Sequence, residues 1–493
     1  MVRAVQAGFG GGLNTTADDL AMAENEAREL TNARVDEYGT AGPRAGTQRL
    51  HASALSGAVV GGAEWNGFVY ASAGGTLSRG VLTSTITWST VGTGLSAVNL
   101  TQMRPFQRSG GQVLYIADGG RLAYTDGVTV TRLGTGPTSV TNIEVYNQRL
   151  FCTQGDFVYW SGLNNGDSLG VDAAGGGFAP VRTFTDGALV VPKPLKSSLM
   201  MWHESGISRF TGIGQDDLRI EAGVTGVTGD VGTPAPGSVV SLEDVALFLS
   251  DRGFYAATEG GVQPISAPIE RSLEGLDRQL WGKVLGVHNR RQREVWFYLP
   301  SIGVFVYQYR LGKWFGPWKG GYVTPEPRIF FEATGIDGRP VVLIGDASGW
   351  VKLADAPGRW LDDVASDGTG GTPYTLSIKS RRMFANDAGL HKSFRKVRAV
   401  TNLGSAQTIQ VGITSRQGRD SASIASTTKT WDSGGLWDAG GTWDGESLST
   451  RTLNLAGNGE WCELDVQCTA PNDGPTISRL EVDGFVMSYR GQN

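Results

Sequence analysis

The sequence predicts a mainly β protein: a six- or seven-bladed β-propeller followed by a C-terminal β-sandwich, preceded by a short N-terminal helical arm. Three observations predict it. Glycine supplies 72 of 493 residues, about twice its ordinary share, and each would cost a helix interior about 1 kcal/mol. Charged residues make up 18% and aromatics 9%, a balance of a folding chain, not a disordered one. Dense apolar runs recur at Tyr70, Tyr115, Phe151, Met201, Phe248, Phe297 and Leu343, at intervals of 36 to 50 residues. A hairpin-rich unit of roughly 45 residues is the size of one four-stranded propeller blade.

The elements follow in order. Residues 1–51 form the arm. Its helix runs from Asp18 to Val35, with Asp18 as N-cap and Leu20, Ala23, Ala27 and Leu30 on one face. Residues 52–357 form the propeller. Each apolar run is followed by a turn and a second short strand, as in Ala246-Leu247-Phe248-Leu249, then Asp251-Arg252-Gly253, then Phe254-Tyr255-Ala256. One blade cannot bury both faces alone; a ring of blades does, and it hides the strand edges. A helix over Ala267–Trp281, with Ile269, Leu273, Leu276 and Leu280 at helical spacing, is an insertion at a blade edge. Residues 358–373 are rich in Asp, Gly and Thr and form a linker. Residues 374–493 alternate in several strands, among them 374–378, 394–400 and 461–466, and form the sandwich.

Composition narrows the function. A formal charge of −5 argues against coating nucleic acid, while leaving a pore that nucleic acid slides through. The three cysteines, Cys152, Cys462 and Cys468, form neither a disulfide framework nor a CxxC pair. Met1–Leu13 contain no apolar h-region. The longest uncharged stretch, 80–103, is full of Ser, Thr and Gly and reads as strands, not a membrane span.

No catalytic, cofactor or metal motif stands out, which predicts a protein that is not an enzyme and carries no cofactor. Gly166-Asp167-Ser168-Leu169-Gly170 matches G-x-S-x-G. It follows Tyr159-Trp160-Ser161 in a polar loop instead of ending a strand of a parallel sheet, and no D-x-x-H accompanies it, so it reads as a turn. Gly282-Lys283 and Gly312-Lys313 lack the P-loop spacing. Asp362, Asp363 and Asp367 read as a solvated linker in preference to a calcium loop.

Two stretches are candidate binding surfaces. Residues 375–410 carry Lys379, Arg381, Arg382, Lys392, Arg395, Lys396 and Arg398 against the single carboxylate Asp387. This is either a solvated strand face or a docking patch for an acidic neighbour or for DNA phosphates. Trp431, Trp437 and Trp443 repeat every six residues within a Trp-Asp-x-Gly-Gly pattern. They either pack on the sandwich or form a stacking platform for a sugar.

Several strings carry a family resemblance. The N-terminal part reads Phe9-Gly10-Gly11-Gly12-Leu13-Asn14, Glu24-Asn25-Glu26-Ala27 with Leu30 and Asn32, then Asp36-Glu37-Tyr38-Gly39 and Arg44-Ala45-Gly46. The middle contains Tyr159-Trp160-Ser161, Phe248-Leu249-Ser250-Asp251-Arg252-Gly253, and Tyr307-Gln308-Tyr309 before Trp314. The last part contains Ile477-Ser478-Arg479-Leu480-Glu481 and Phe485-Val486-Met487-Ser488-Tyr489. This order resembles tailed-bacteriophage tail proteins of the nozzle, or tail tubular protein B, kind.

The resemblance implies a structural virion component in the tail, assembled in the host cytoplasm. It implies a homo-oligomeric ring of six-fold symmetry beneath the portal and adaptor and above distal tail or fibre proteins. Double-stranded DNA would pass through during genome ejection. The propeller would decorate the outside, and residues 1–51 would clamp a neighbouring subunit. Two other readings stay open: a receptor-binding adhesion protein using the three tryptophans on host glycan, and a propeller enzyme acting on polysaccharide.

Overall fold

The computed structural model describes residues 2–171, 175–181, 187–212, 219–221, 231–385, 388–403, 407–425, 449–469 and 475–486. Each of the seven apolar runs becomes the second strand of a four-stranded antiparallel blade, six of them separate sheets and the sixth blade part of a larger one: Phe68–Ala73, Gly111–Ala117, Arg149–Gln154, Leu199–His203, Ala246–Ser250, Glu294–Leu299 and Pro340–Asp346. The position explains the signal. A strand covered on both faces of its sheet needs apolar side chains on both, so polar–apolar alternation disappears. Leu199, Met200, Met201 and Trp202 are fully buried, as are Val295, Trp296 and Phe297.

The first strands form the inner ring: Val59–Trp65, Gln102–Arg108, Asn142–Tyr146, Leu189–Pro194, Val240–Ser241, Leu285–Asn289 and Pro327–Thr334. Each touches the next, and the last touches the first. The seven sheets therefore close into a seven-bladed propeller.

Blade seven contributes only three strands of its own. Its outer strand is Gln48–Arg49, which comes from before blade one and pairs antiparallel with Val351–Leu353. The seam is locked just beyond that pairing. Leu50 donates its N–H to the Val351 carbonyl (3.0 Å), and Val351 donates to His51 Nε2 (2.8 Å). His51 Nδ1 lies 2.6 Å from the Ser53 carbonyl, so the neutral ring donates there. The same ring stacks on Trp350 at 5.1 Å.

The sandwich is built from both ends of the chain. One sheet runs Glu26–Thr31, Thr375–Ser380, Cys462–Thr469, Thr408–Ser415, Gly418–Ala425. The other runs Ser449–Gly459, Lys392–Asn402, Thr476–Val486, Ala41–Pro43, Ala33–Val35, with Val2–Gln6 also paired to Thr476–Val486. Leu376, Ile378, Val411, Ile413, Leu464, Val466, Val397, Ala399, Leu480 and Val482 form the core between them. Leu30 also pairs with Gly316 in the outer strand of blade six, Lys313–Trp318. Blade six and the first sheet of the sandwich are thus one continuous sheet, and the apolar residues of blade six and the sandwich belong to one core.

The helix expected over residues 18–35 is not formed. Glu26–Thr31 and Ala33–Val35 are strands, and residues 18–22 make turns in which Asp18 accepts the N–H of Leu20 (3.0 Å). A bulge at Arg28 misled the periodicity. Pairing skips from Ala27 to Glu29, so Ala27 and Leu30, three apart, both face the core. Leu20, counted on the same face, is exposed. Residues 1–51 are therefore not a free arm, because their partners are this chain's own strands. The insertion at 267–281 is a chain of short turns, with one four-residue α-helix, Glu270–Leu273, between 3-10 segments. Ile269 still packs into the core.

Arg44 joins the parts. Its side chain is fully buried. Nε donates to Asn32 Oδ1 (3.0 Å); one terminal nitrogen donates to the Ala45 carbonyl (3.0 Å) and Asp362 Oδ1 (2.8 Å); the other donates to the Lys319 carbonyl and Asp362 Oδ2 (both 2.6 Å). The guanidinium carbon lies 4.6 Å from the Tyr322 ring centre and 4.0 Å from that of Tyr374. Glycine is required at position 320, where a Cβ would come within 2.1 Å of Asp362 Oδ2. The segment 358–373 is thus anchored at Asp362. Removing one member of a buried ion pair typically costs about 3–5 kcal/mol. Arg44→Met should lower stability by about that much, read as a fall in the urea midpoint, and Asp362→Asn should do nearly the same.

Candidate interaction surfaces

The structure divides the seven cations of the basic stretch between the two sheets of the sandwich. Lys379 lies on Thr375–Ser380 in the first sheet, and Arg381 and Arg382 follow that strand; the other four lie on Lys392–Asn402 in the second. Most are matched by carboxylates far away in sequence. Lys379 meets Glu29 (2.7 Å), Arg381 meets Glu24 (3.5 Å), and Arg382 meets Asp19 (2.8 Å). The hydrogen bond that Lys379 donates to Glu29 raises its ammonium above its ordinary value. Arg382 also stacks on Trp461 at 4.3 Å. Lys392 is buried, and its Nζ donates to the carbonyls of Leu390 (3.0 Å) and Glu460 (3.2 Å). Arg398 meets Asp483 (2.8 Å) and Glu481 (3.5 Å). Arg395 and Lys396 are exposed, and among the described residues neither has an ion-pair partner.

Sequence reasoning missed the other charges on this sheet. Arg3 pairs with Glu481, and Arg479 Nε lies 2.8 Å from Glu481. A signal was present: Arg479, Glu481 and Asp483 occupy every second position of a strand-like run, which places them on one face.

The inner ring of the propeller lines an open axial cavity of about 500 Å³. Across it, Arg104 grips Glu144 through two 2.8 Å hydrogen bonds, and Lys193 Nζ lies 2.5 Å from the same carboxylate. Burial by itself would raise the Glu144 carboxyl; Arg104 and Lys193 outweigh it and hold it at about 2. Blades two, three and four are thereby tied together at the axis. Glu64, His288, Arg290 and Glu332 line the other side, with Arg290 and Glu332 3.2 Å apart.

The G-x-S-x-G string forms a 3-10 turn, Gly166–Ser168. Ser168 Oγ is occupied: it donates to the Asn165 carbonyl and accepts from Gly162 N–H, both at 2.8 Å. Asp167 pairs with Arg108 (2.7 Å). Two of the three linker carboxylates face cations, Asp362 facing Arg44 and Asp363 lying 2.7 Å from buried Lys352, while Asp367 accepts from Thr369. Among the described residues no group of three or more His, Cys, Asp or Glu side chains is arranged to hold a metal. The three cysteines are buried and unpaired. No described helix is long and apolar enough to cross a membrane. Trp431, Trp437 and Trp443, together with Asp387 and Met487–Tyr489, lie outside the described residues.

No known protein family and no curated protein matches the chain. Solved structures similar to it include the extracellular domain of a putative hybrid two-component system from B. thetaiotaomicron (12% identity, TM-score 0.42, covering 64% of this chain and 42% of that one). Others are the WD40 β-propeller domain of Doa1 (10% identity, TM-score 0.38, 62% and 96%) and the N-terminal domain of Nup159 (8% identity, TM-score 0.40, 66% and 98%). The chain spans less than half the length of the first of these. The seven-bladed architecture is carried by the strand pairing described above.

His288, on the axial cavity, has a pKa held down to about 4 from 6.5, first by burial and then by Arg290. The folded state therefore binds fewer protons than the unfolded one between these values. Its contribution to stability is complete above about pH 6.5 and is lost as pH falls toward 4. Urea titrations at intervals across this window should show stability rising with pH, and His288→Gln should flatten the slope.

Proposed function

We propose that this chain is a structural ring subunit of a bacteriophage tail, of the nozzle or tail tubular kind, that helps conduct DNA below a portal and adaptor. The observation that carries the reading is the continuous sheet from blade six into a sandwich made from both chain ends. A subunit under load during genome ejection must not hinge between its parts, and here main-chain hydrogen bonds cross the junction. The resemblance of the nozzle strings supports the same reading. Several fall at structural joints: Asn32 and Arg44 lie at the buried junction, and Leu30 pairs with blade six.

DNA would not pass along the propeller axis. A cavity of about 500 Å³ crossed by the Arg104–Glu144–Lys193 cluster has no room for a duplex, whose major groove alone is about 12 Å wide. The channel would lie between subunits around the ring, with propellers outside. Its wall needs few unpaired cations, because every phosphate-neutralising Lys or Arg adds affinity through counterion release and slows passage. Most cations of the basic stretch are paired internally, which suits that requirement.

The test is the assembly state. Electron microscopy and mass photometry of the purified chain, alone and mixed with candidate portal–adaptor assemblies, should show closed rings whose mass is a small multiple of 52.3 kDa. A chain that stays monomeric under all these conditions would overturn the reading.

A further inference from the structure

We infer that the outer face of the sheet formed by Val2–Gln6, Thr476–Val486 and Lys392–Asn402 is a docking surface for a protein partner that presents carboxylates around an apolar contact. Placing that partner in an adjoining tail component rests on the function proposed above. The recognition chemistry rests on the residues themselves.

The first observation is a bulge. Against Thr476–Val486 the pairing of strand Lys392–Asn402 passes from Phe394↔Gly484 directly to Lys396↔Asp483. Against Ser449–Gly459 it passes from Phe394↔Gly457 to Lys396↔Asn454. Arg395 is skipped on both sides. In a regular strand Arg395 and Lys396 would point to opposite faces, and one of those faces is the sandwich core. The bulge re-aims the chain so that both are exposed. Two adjacent cations turned outward from a central strand, neither with an internal ion pair, are available to a partner.

The second observation is how the neighbouring arginines are held. Glu481 is 6% exposed and accepts three of them: Arg3, Arg479 at 2.8 Å and Arg398 at 3.5 Å. Asp483, 8% exposed, accepts Arg398 at 2.8 Å. Three forked guanidiniums cannot all be saturated by two carboxylates, because each carries five N–H donors. The buried acids fix the arginines in place and leave donors facing outward, the preorganisation that favours bidentate carboxylate recognition. Five cations, Arg3, Arg395, Lys396, Arg398 and Arg479, face two carboxylates here.

The third observation is Phe485. It shares the strand face of Glu481 and Asp483 by alternation and is 48% exposed. Arginine together with an exposed aromatic is the composition of a protein–protein hot spot. It also decides between partners. A phosphate backbone presents a dense line of negative charge with no apolar surface, and the two carboxylates at the centre of this face would repel it. A protein face with separated carboxylates avoids that repulsion and covers Phe485.

The experiment uses the 493-residue chain and two probes, a fluorescent random copolymer of glutamate and tyrosine, which spaces its carboxylates among aromatic rings, and a 20-base-pair DNA duplex, followed by anisotropy at low and moderate salt. The surface should bind the copolymer more tightly than the duplex. The double substitution Arg395→Glu with Lys396→Glu should weaken copolymer binding by roughly tenfold or more, with melting unchanged because neither side chain is buried. If that variant fails to fold, Arg395→Ala with Lys396→Ala serves in its place. No binding of the copolymer, binding unaffected by these substitutions, or tighter binding of the duplex would overturn the inference. A chain that forms no ring yet binds the copolymer through Arg395 and Lys396 would keep this surface while removing the function proposed above.

Discussion

The guanidinium of Arg44 has five N–H donors, and the fold uses all of them. Their acceptors come from four places: the N-terminal strands at Asn32, the chain beside Arg44 itself at Ala45, the exit of blade six at Lys319, and the segment joining propeller to sandwich at Asp362. A buried charge with any donor unmet would be costly. The arrangement is therefore intolerant of small shifts between these parts. The backbone makes room for it, with Gly320 and Gly321 beside Asp362, and Asn32 in the left-handed conformation that Asn tolerates better than most residues. Whatever the net energy of the Arg44–Asp362 pair, it sets one relative placement of propeller and sandwich and excludes others.

That placement makes the first 49 residues a structural tie. They supply strands to both sheets of the sandwich, touch blade six through Leu30, and close blade seven through Gln48–Arg49. Their partners lie about 300 to 480 residues later, so the contacts are among the most non-local a chain of this length can make. Such contacts form late, because loop closure must be offset before they contribute stability. The blades, by contrast, are local hairpins that can form in sequence. Propeller closure and sandwich assembly depend on the same N-terminal segment, which couples the two domains and gives a subunit without a hinge at the junction.

Charge shows the same long-range organisation. The stretch 375–410 reads as strongly basic because its compensating acids are elsewhere: Asp19, Glu24 and Glu29 on one side of the sandwich, Glu481 and Asp483 on the other. The folded protein spends most of those cations internally. It leaves a smaller group, shaped by the bulge at Arg395 and completed by Arg3 and Arg479, residues separated from it by hundreds of positions or by another strand. At the propeller axis the same economy joins Arg104, Glu144 and Lys193, one from each of three successive blades.

The sequence by itself determined the propeller, because each blade is a local unit and its second strand, covered on both faces, is marked by an apolar run that needs no distant partner to be read. It also determined the β character of the C-terminal part and the turn at Gly166–Ser168. Tertiary structure alone decided the fate of residues 18–35: the bulge at Arg28 gives Ala27 and Leu30 the three-residue spacing of a helix, and only pairing with Thr375–Ser380 reveals a strand. It alone decided which cations remain available, since an ion pair is set by distance in space and the carboxylates that neutralise Lys379, Arg381 and Arg382 are roughly 350 residues away. The ring's closing strand is a two-residue segment with no periodicity to detect, so its role exists only once seven blades have come round to meet it.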